Sequence, residues 1–297
     1  MRPNWELNNC CNHEQVVFLV TLAVCTVLIL ALWRTVLLRP FKLVTVFLHE
    51  ASHAIACKLT CGHVEGIQVH ADEGGTTQTR GGIYWLILPA GYLGSSFWGM
   101  VLILASTNLL TARIAAGCFI AALLIVLFVA KNWTLRGLCI GFIIFLGIIW
   151  ILQETTKVRI LRYIILFIGV MNSLFSVYDI YDDLISRRVH SSDAEKFAEV
   201  CPCPCTGLGW GVIWGLISFA FLCVAVYLGV IYGTAFRKEK RKFLGNKKED
   251  SASSSPITEK HMEDLLPQQI FYLKSGRKRY LIYRKNKTHP TLMKTRP

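Results

Sequence analysis

The sequence has few charged residues for its length. Asp, Glu, Lys and Arg make up 17% of its 297 residues, whereas soluble domains carry about 25%. This shortage excludes an ordinary soluble globule, and the mean hydropathy of +0.45 agrees. The apolar residues come in blocks of about twenty, the length that a helix needs to cross a bilayer. The sequence therefore predicts an α-helical polytopic membrane protein.

The first fifteen residues lack the basic stretch that opens a cleavable signal peptide. They hold two acidic residues and one arginine, so we expect the first apolar block to remain as a membrane span. All spans should be helical, because lipid offers no hydrogen-bond partner to an open backbone. We expect about seven, at residues 16–33, 41–59, 83–105, 112–130, 137–151, 160–178 and 208–232.

Glycine interrupts the helical pattern between the second and third spans. Residues 62–82 read GHVEGIQVHADEGGTTQTRGG, with isolated apolar residues among polar ones and glycine pairs at 74–75 and 81–82. This pattern predicts a short β-hairpin or a re-entrant loop. An ordinary exposed loop is the alternative.

Basic charge is concentrated at one end of the chain. Residues 237–297 hold 17 basic and 6 acidic residues, which give +11 of the total net charge of +13. A basic segment beside a membrane usually lies on the cytoplasmic side, near anionic lipid. We therefore expect residues 236–297 to form a disordered cytosolic tail that contacts anionic lipid and no nucleic acid. The rest of the chain is expected to comprise an N-terminal segment (1–15), a first transmembrane helix (16–34) and a core (35–235). We expect the two ends of the chain to lie on opposite sides of the membrane.

A His-Glu-x-x-His motif lies inside the second span. His49 and His53 are separated by four residues and share one face of a helix, so both rings can bind one Zn²⁺. Glu50 lies about 100° round the helix, where it can act as general base on a metal-bound water. Ionisable groups within a span are costly and usually functional. The motif predicts a catalytic zinc site, with two packed, buried histidines as the structural alternative.

A third histidine six residues after the motif, the spacing of soluble metzincins, is absent because residue 59 is leucine. A zinc hydrolase needs three protein ligands and an open position. Asp179, Asp182 and Asp183 follow the sixth span and project to one side of a continuing helix. Spans two and six run the same way in a seven-span chain, so motif and aspartates would lie at the same end. Each aspartate could instead cap the span or pair with the arginines that follow.

Three cysteines form an unusual C-P-C-P-C run, at Cys201, Cys203 and Cys205. Their spacing is not the C-x-x-C of structural zinc sites. If this segment is lumenal, disulfides are favoured. Metal binding and acylation are the other possibilities.

The motifs resemble those of the site-2 protease family of intramembrane zinc metallopeptidases, in its small B-like branch without PDZ domains. The resemblance spans roughly residues 35–235 and rests on FLHEASHAIAC, DEGGTTQTRGG, LPAGYLGSS and SVYDIYDDLISRR. It implies that His49, His53 and an aspartate bind zinc and that Glu50 is the catalytic base.

The aspartate motif departs from the family pattern, which is N-x-x-P-x-x-x-x-D-G. Asn172 matches the asparagine, but Phe175 replaces the proline and Ile180 stands at the aspartate position, one residue after Asp179. We favour Asp179 as the third ligand, with the next two aspartates as alternatives. By the same resemblance Asn172 orients the substrate or the site.

Family members also use a strand edge near the active site to hold an unwound substrate helix. Adding an extended peptide to a sheet edge is a known mode of recognition. Gly74 and Gly75 would permit close approach of the substrate backbone. The partner implied is therefore a transmembrane helix of a membrane-protein substrate.

The predicted function is an intramembrane zinc metalloendopeptidase that cleaves transmembrane segments. The altered aspartate motif keeps a catalytically inactive, protease-like scaffold as an alternative. A third reading is an ion transporter whose path is lined by the polar residues of spans two and six, without obligatory zinc. Family members act near the cytosolic face, whereas the charge count places the later end of span two on the other side.

Overall fold

The computed structural model describes residues 13–72, 74–156, 160–181, 192–202, 205–253, 270–275, 278–283 and 291–293. Side chains are described up to residue 232, except at positions 14, 179 and 181. The chain divides into two units, residues 1–239 and 240–297. The helices are α1 (His13–Leu32), α2 (Arg39–Leu59), α3 (Tyr84–Ala105), α4 (Leu109–Val129), α5 (Trp133–Thr155), α6 (Ile160–Tyr181), α7 (Asp193–Val200) and α8 (Gly207–Ser253), which continues into the second unit.

Six of the described helices are long and apolar enough to cross a membrane, namely α1, α3, α4, α5, α6 and the first part of α8. They correspond to all the predicted spans except the second. That span is α2, which is 21 residues long but holds the polar residues of the His-Glu-x-x-His motif. The α-helical polytopic fold is therefore confirmed.

The fifth span is longer than predicted because polar residues that resembled a loop form its first turn. The Asn132 side chain caps the helix by accepting a hydrogen bond from the backbone of Leu135. Arg136 donates to the Ala130 carbonyl at 3.2 Å, and its guanidinium lies over the Trp133 ring. The helix thus begins at Trp133, four residues earlier than hydropathy suggested.

Helices α1 to α6 and the first part of α8 make up the membrane body. Helices α2, α3 and α6 form its centre. Small residues allow α3 and α6 to pack closely, as is common between membrane helices. A Cβ on Gly169 would lie 2.9 Å from the backbone nitrogen of Ile103, and Gly99 lies against Ser173. Gly94 of α3 similarly accepts Ser52 of α2. Both α2 and α6 are antiparallel to α3, so they run in the same direction, as predicted.

The start of α1 lies beside the end of the span in α8. Gln15 donates a hydrogen bond to the Val230 carbonyl at 3.0 Å. The expectation that the two ends of the membrane body lie on opposite sides is therefore wrong. The side on which the tail lies stays a prediction.

A reversal between α1 and α2 explains this arrangement. Trp33, just after α1, stacks on Tyr178 near the end of α6. Phe41, at the start of α2, contacts Phe167, which lies in the first half of α6. The chain therefore turns back along α6 through the 3-10 turn Val36–Leu38. As a result α1 and α2 run the same way, which hydropathy and loop charge do not reveal.

The glycine-rich segment forms the predicted hairpin, of strands β1 (His63–Val69) and β2 (Gly75–Arg80). The strands are antiparallel, with a register shift between Val64 and Gly66. The edge of β1 that does not pair with β2 contacts the loop before α5. Lys131 donates its backbone N–H to the Ile67 carbonyl at 3.2 Å. The Asn132 side-chain amide accepts a hydrogen bond from the Val69 N–H and donates one to the Val69 carbonyl.

The second unit contains the end of α8 and three antiparallel strands, β3 (Ile270–Ser275), β4 (Lys278–Tyr283) and β5 (Thr291–Met293), paired in that order. The segment boundaries expected from the sequence, including the core at 35–235 and the tail at 236–297, stay predictions.

Candidate metal centre

Helix α2 presents both motif histidines on one buried face. His49 is 8% exposed and His53 is 6% exposed. Their Nε2 atoms lie 3.1 Å apart, because residues four apart project over one another on a helix. The rings are nearly perpendicular, with centroids 4.8 Å apart. The helix therefore points two imidazole nitrogens at one place.

Asp193, the first residue of α7, reaches the same place. Its Oδ2 lies 3.0 Å from Nε2 of His49 and 2.9 Å from Nε2 of His53. Sequence reasoning did not name this residue. A weak signal was present, since Ser192 and Glu195 have the spacing of a capping box that starts a helix, and Ser192 accepts a hydrogen bond from the Glu195 backbone.

Aromatic packing holds α7 against α3 and α8. Phe197 of α7 makes edge contacts with Trp210 and Trp214 of α8, with centroids 4.7 and 5.3 Å away. Trp214 also contacts Tyr92 of α3, whose ring lies edge-on to His49 at 4.7 Å. The short helix that carries Asp193 is thus fixed to the helices that surround the histidines.

The three converging atoms suit a zinc ion. His53 donates from Nδ1 to the Ile87 carbonyl at 2.7 Å, since a carbonyl can only accept. When this ring is neutral it presents a lone pair at Nε2, and ionised Asp193 presents only acceptor oxygens. Such groups repel one another unless a shared proton or a metal cation lies between them. Two ligands of one tetrahedral zinc would be about 3.3 Å apart, close to the distances found. The histidine–carbonyl bond is also a usual support of zinc-binding histidines.

A glycine of α3 leaves room at this place. A Cβ on Gly91 would lie 2.5 Å from Nε2 of His53 and would also collide with Nε2 of His49. Any side chain here would fill the space that both histidines face. The absence of a side chain at Gly91 is therefore a requirement for an ion at the cluster.

Asp193 is suited to carry negative charge although its side chain is only 17% exposed. Burial raises the pKa of its carboxyl group, but when it shares a proton with the histidines, the charge of His53 and hydrogen bonds from both rings lower that pKa further, to well below its usual range. The carboxylate is thus ionised at neutral pH and able to bind a cation.

Glu50 lies next to the cluster and is held by the hairpin. It is 6% exposed, and Thr77 of β2 donates to its carboxylate Oε2 at 2.5 Å. Gly75 of the same strand packs on the carboxylate, since a Cβ there would lie 2.8 Å from the Glu50 carboxyl carbon. The absence of a side chain at Gly75 thus leaves space for the Glu50 carboxylate, whereas Gly74 is exposed between the two strands.

Asn172 is fully buried between α6 and α3. Its amide accepts a hydrogen bond from the Ser95 hydroxyl at 3.0 Å and donates to the Ser95 carbonyl at 2.5 Å. These bonds tie the two helices together. A role in substrate orientation stays a prediction.

The structure describes only part of the aspartate group that the sequence favours as the third ligand. Asp179 belongs to the last turn of α6, but its side chain lies outside the described part of the structure, as do Asp182 and Asp183 altogether. Of the C-P-C-P-C run, Cys203 is also outside it, and Cys201 and Cys205 are free thiols. Among the described residues, the metal-ligand cluster found is His49, His53 and Asp193, with ligand atoms within 4.8 Å of one another.

Comparison with known proteins shows which family the chain resembles. A family model described as Peptidase M50B-like matches residues 22–225, a range that includes the histidine motif, the hairpin and Asp193. No curated protein and no solved structure was found to match the chain.

Proposed function

We propose, from the premise that the chain belongs to the Peptidase M50B-like family, that it is a zinc endopeptidase which cleaves transmembrane segments of other membrane proteins. Family membership makes it a site-2 protease-like intramembrane metallopeptidase in general terms. The zinc, its ligands, the position of the scissile bond and the substrate class are the further steps of the proposal.

The convergence of His49, His53 and Asp193 beside Glu50 is the observation that carries this proposal. Catalytic zinc sites have three protein ligands and keep one position open for water or substrate. Structural zinc sites are instead closed by four protein ligands. The cluster has two imidazoles and one carboxylate, a ligand set known in zinc hydrolases. We assign the third ligand to Asp193 in place of Asp179.

Zinc bound here would polarise the scissile carbonyl and lower the pKa of a bound water to about 7. Glu50 accepts the proton of the attacking water on its carboxylate and returns it to the nitrogen of the leaving amine. The Ile87 carbonyl fixes the His53 ring during this exchange through the bond to Nδ1. Burial of the site among α2, α3 and α7 limits the access of other water.

We assign substrate binding to the outer edge of β2. The described sheet has two strands, and the outer side of β1 already meets Lys131 and Asn132. The outer side of β2 pairs with no other described strand, and β2 touches Glu50 through Thr77. A helix that unwinds onto this edge would expose its peptide bonds close to the base, in the mode known as β-augmentation.

The test compares membranes from cells that express the wild-type protein or Glu50→Gln, with both proteins loaded with zinc. New amino termini of membrane proteins are identified by mass spectrometry. The proposal predicts cleavages inside apolar spans that require Glu50. Equal sets of amino termini from two zinc-loaded proteins would overturn it and favour an inactive scaffold.

A further inference from the structure

The general base of the proposed reaction is held by the hairpin and not only by its own helix. Thr77 of β2 lies within hydrogen-bond distance of two oxygens of Glu50, the carboxylate Oε2 at 2.5 Å and the backbone carbonyl at 3.0 Å. A hydroxyl has one proton to donate. The shorter distance and the negative charge both favour the carboxylate as its acceptor.

Two residues of β2 act together on the same carboxyl group. Alternate residues of a strand lie on the same face, so Gly75 and Thr77 both face α2. Gly75 packs against Oε1 and the carboxyl carbon of Glu50, while Thr77 bonds to Oε2. The carboxylate is therefore confined on one side by backbone and on the other by a hydroxyl.

The threonine is well suited to fix a position. Its branched Cβ restricts rotation about χ1, and its backbone is paired with Ile67 of β1. The outer side of β1 is in turn anchored by the loop before α5. The position of the Thr77 hydroxyl is thus set by the sheet and not by solvent.

We propose that Thr77 is a positioning residue, which aligns the Glu50 carboxylate for proton transfer and couples it to the strand that receives the substrate. This inference rests on the proposed function, in which Glu50 is the base and β2 is the receiving strand. A peptide added to β2 stiffens that strand, so the alignment of the base is best when substrate is present.

The test uses the full-length, zinc-loaded protein in liposomes with a transmembrane peptide identified from the cleavage comparison above. Thr77→Val keeps the shape of the side chain but removes the hydroxyl, and Thr77→Ser restores the hydroxyl. Thr45→Val is the matched control, because it removes a buried hydroxyl of α2 whose hydrogen bond stays within that helix. Zinc content and thermal unfolding are measured for every variant.

We expect Thr77→Val to lower kcat roughly ten- to hundredfold, the effect of losing a hydrogen bond to a charged group. KM and zinc content should stay close to wild type, the melting temperature should fall because a buried carboxylate loses its donor, and Thr77→Ser should recover most of kcat. A crystal structure of Thr77→Val should show the Glu50 carboxylate in a different rotamer, a readout independent of turnover.

An unchanged kcat in Thr77→Val, with Glu50→Gln inactive, would overturn the inference and leave the proposed function intact. Equal losses of kcat in Thr77→Val and Thr77→Ser, or a loss that disappears when each variant is assayed well below its own melting temperature, would mean that the residue is only structural. A zinc-loaded wild type no more active than Glu50→Gln would overturn both proposals together.

Discussion

Oδ2 of Asp193 lies 2.9 Å from Nε2 of His53, although 140 residues separate them in the chain. This relationship joins a short polar helix to a membrane helix and completes a cluster of three side chains that could hold a metal ion. A carboxylate and two imidazole nitrogens this close together share either a proton or a metal cation.

Replacing Asp193 with Ala should remove zinc from the purified protein. The loss of affinity should exceed the roughly 10–100-fold that removal of a hydrogen-bond partner of a zinc ligand costs. Asp179→Ala, Asp182→Ala and Asp183→Ala are the matched controls and should keep about one zinc per chain. Metal analysis after zinc-replete purification is the measurement, and loss of zinc in Asp179→Ala alone would return the third ligand to α6.

Gly91→Ala should also abolish zinc binding, because the new methyl group would occupy the space that both histidines face. The fold should survive, since alanine favours a helix more than glycine does. Gly147→Ala in α5 is the control, because a Cβ there has no neighbour within 4 Å. Full zinc content in Gly91→Ala would show that the ion, if present, lies elsewhere.

Phe197→Ala should loosen α7 and weaken zinc binding although it touches no ligand atom. Phe197 is 6% exposed, and truncation of a buried phenylalanine costs about 3–5 kcal/mol. Phe128→Ala is the control, since Phe128 is 87% exposed. Zinc affinity measured by competition with a chelator should fall only in the first variant, and equal affinities would contradict the role given to the aromatic packing.

Asn172→Ala should lower the thermal stability of the protein. It removes the acceptor of the buried Ser95 hydroxyl and one of the hydrogen bonds to the Ser95 carbonyl, and an unsatisfied buried group costs about 1–3 kcal/mol. Ser95→Ala removes one of the two bonds and should cost less. If Asn172→Ala instead kept its melting temperature and raised KM for substrate, the residue would bind substrate, as the sequence motif suggested.

Composition and glycine placement were sufficient to predict most of the fold. Long apolar runs identified the spans, because length and hydropathy are local properties. The glycine pairs identified the hairpin for the same reason. Arg136 misled the prediction of the fifth span, since a charged residue beside a cap resembles a loop residue. The course of α1 was missed because it depends on contacts of Trp33 and Gln15 with distant helices.

The candidate site was predicted only in part, and the limit is physical. His49, Glu50 and His53 lie on one helix, so their spacing alone brings them together. Asp193 lies on an eight-residue amphipathic helix, and its approach depends on Phe197 packing against residues of α8. No spacing within the sequence encodes that contact. The aspartates at the end of α6 were favoured because they continue an apolar span.

The most direct test of the account is X-ray absorption at the zinc edge of the purified wild-type protein. The account predicts about one zinc per chain, with a shell of nitrogen and oxygen ligands at about 2.0–2.1 Å. Histidine scattering should be present and should disappear in His53→Ala. Absence of zinc after zinc-replete purification, or a sulfur shell at about 2.3 Å from the cysteine run, would contradict it.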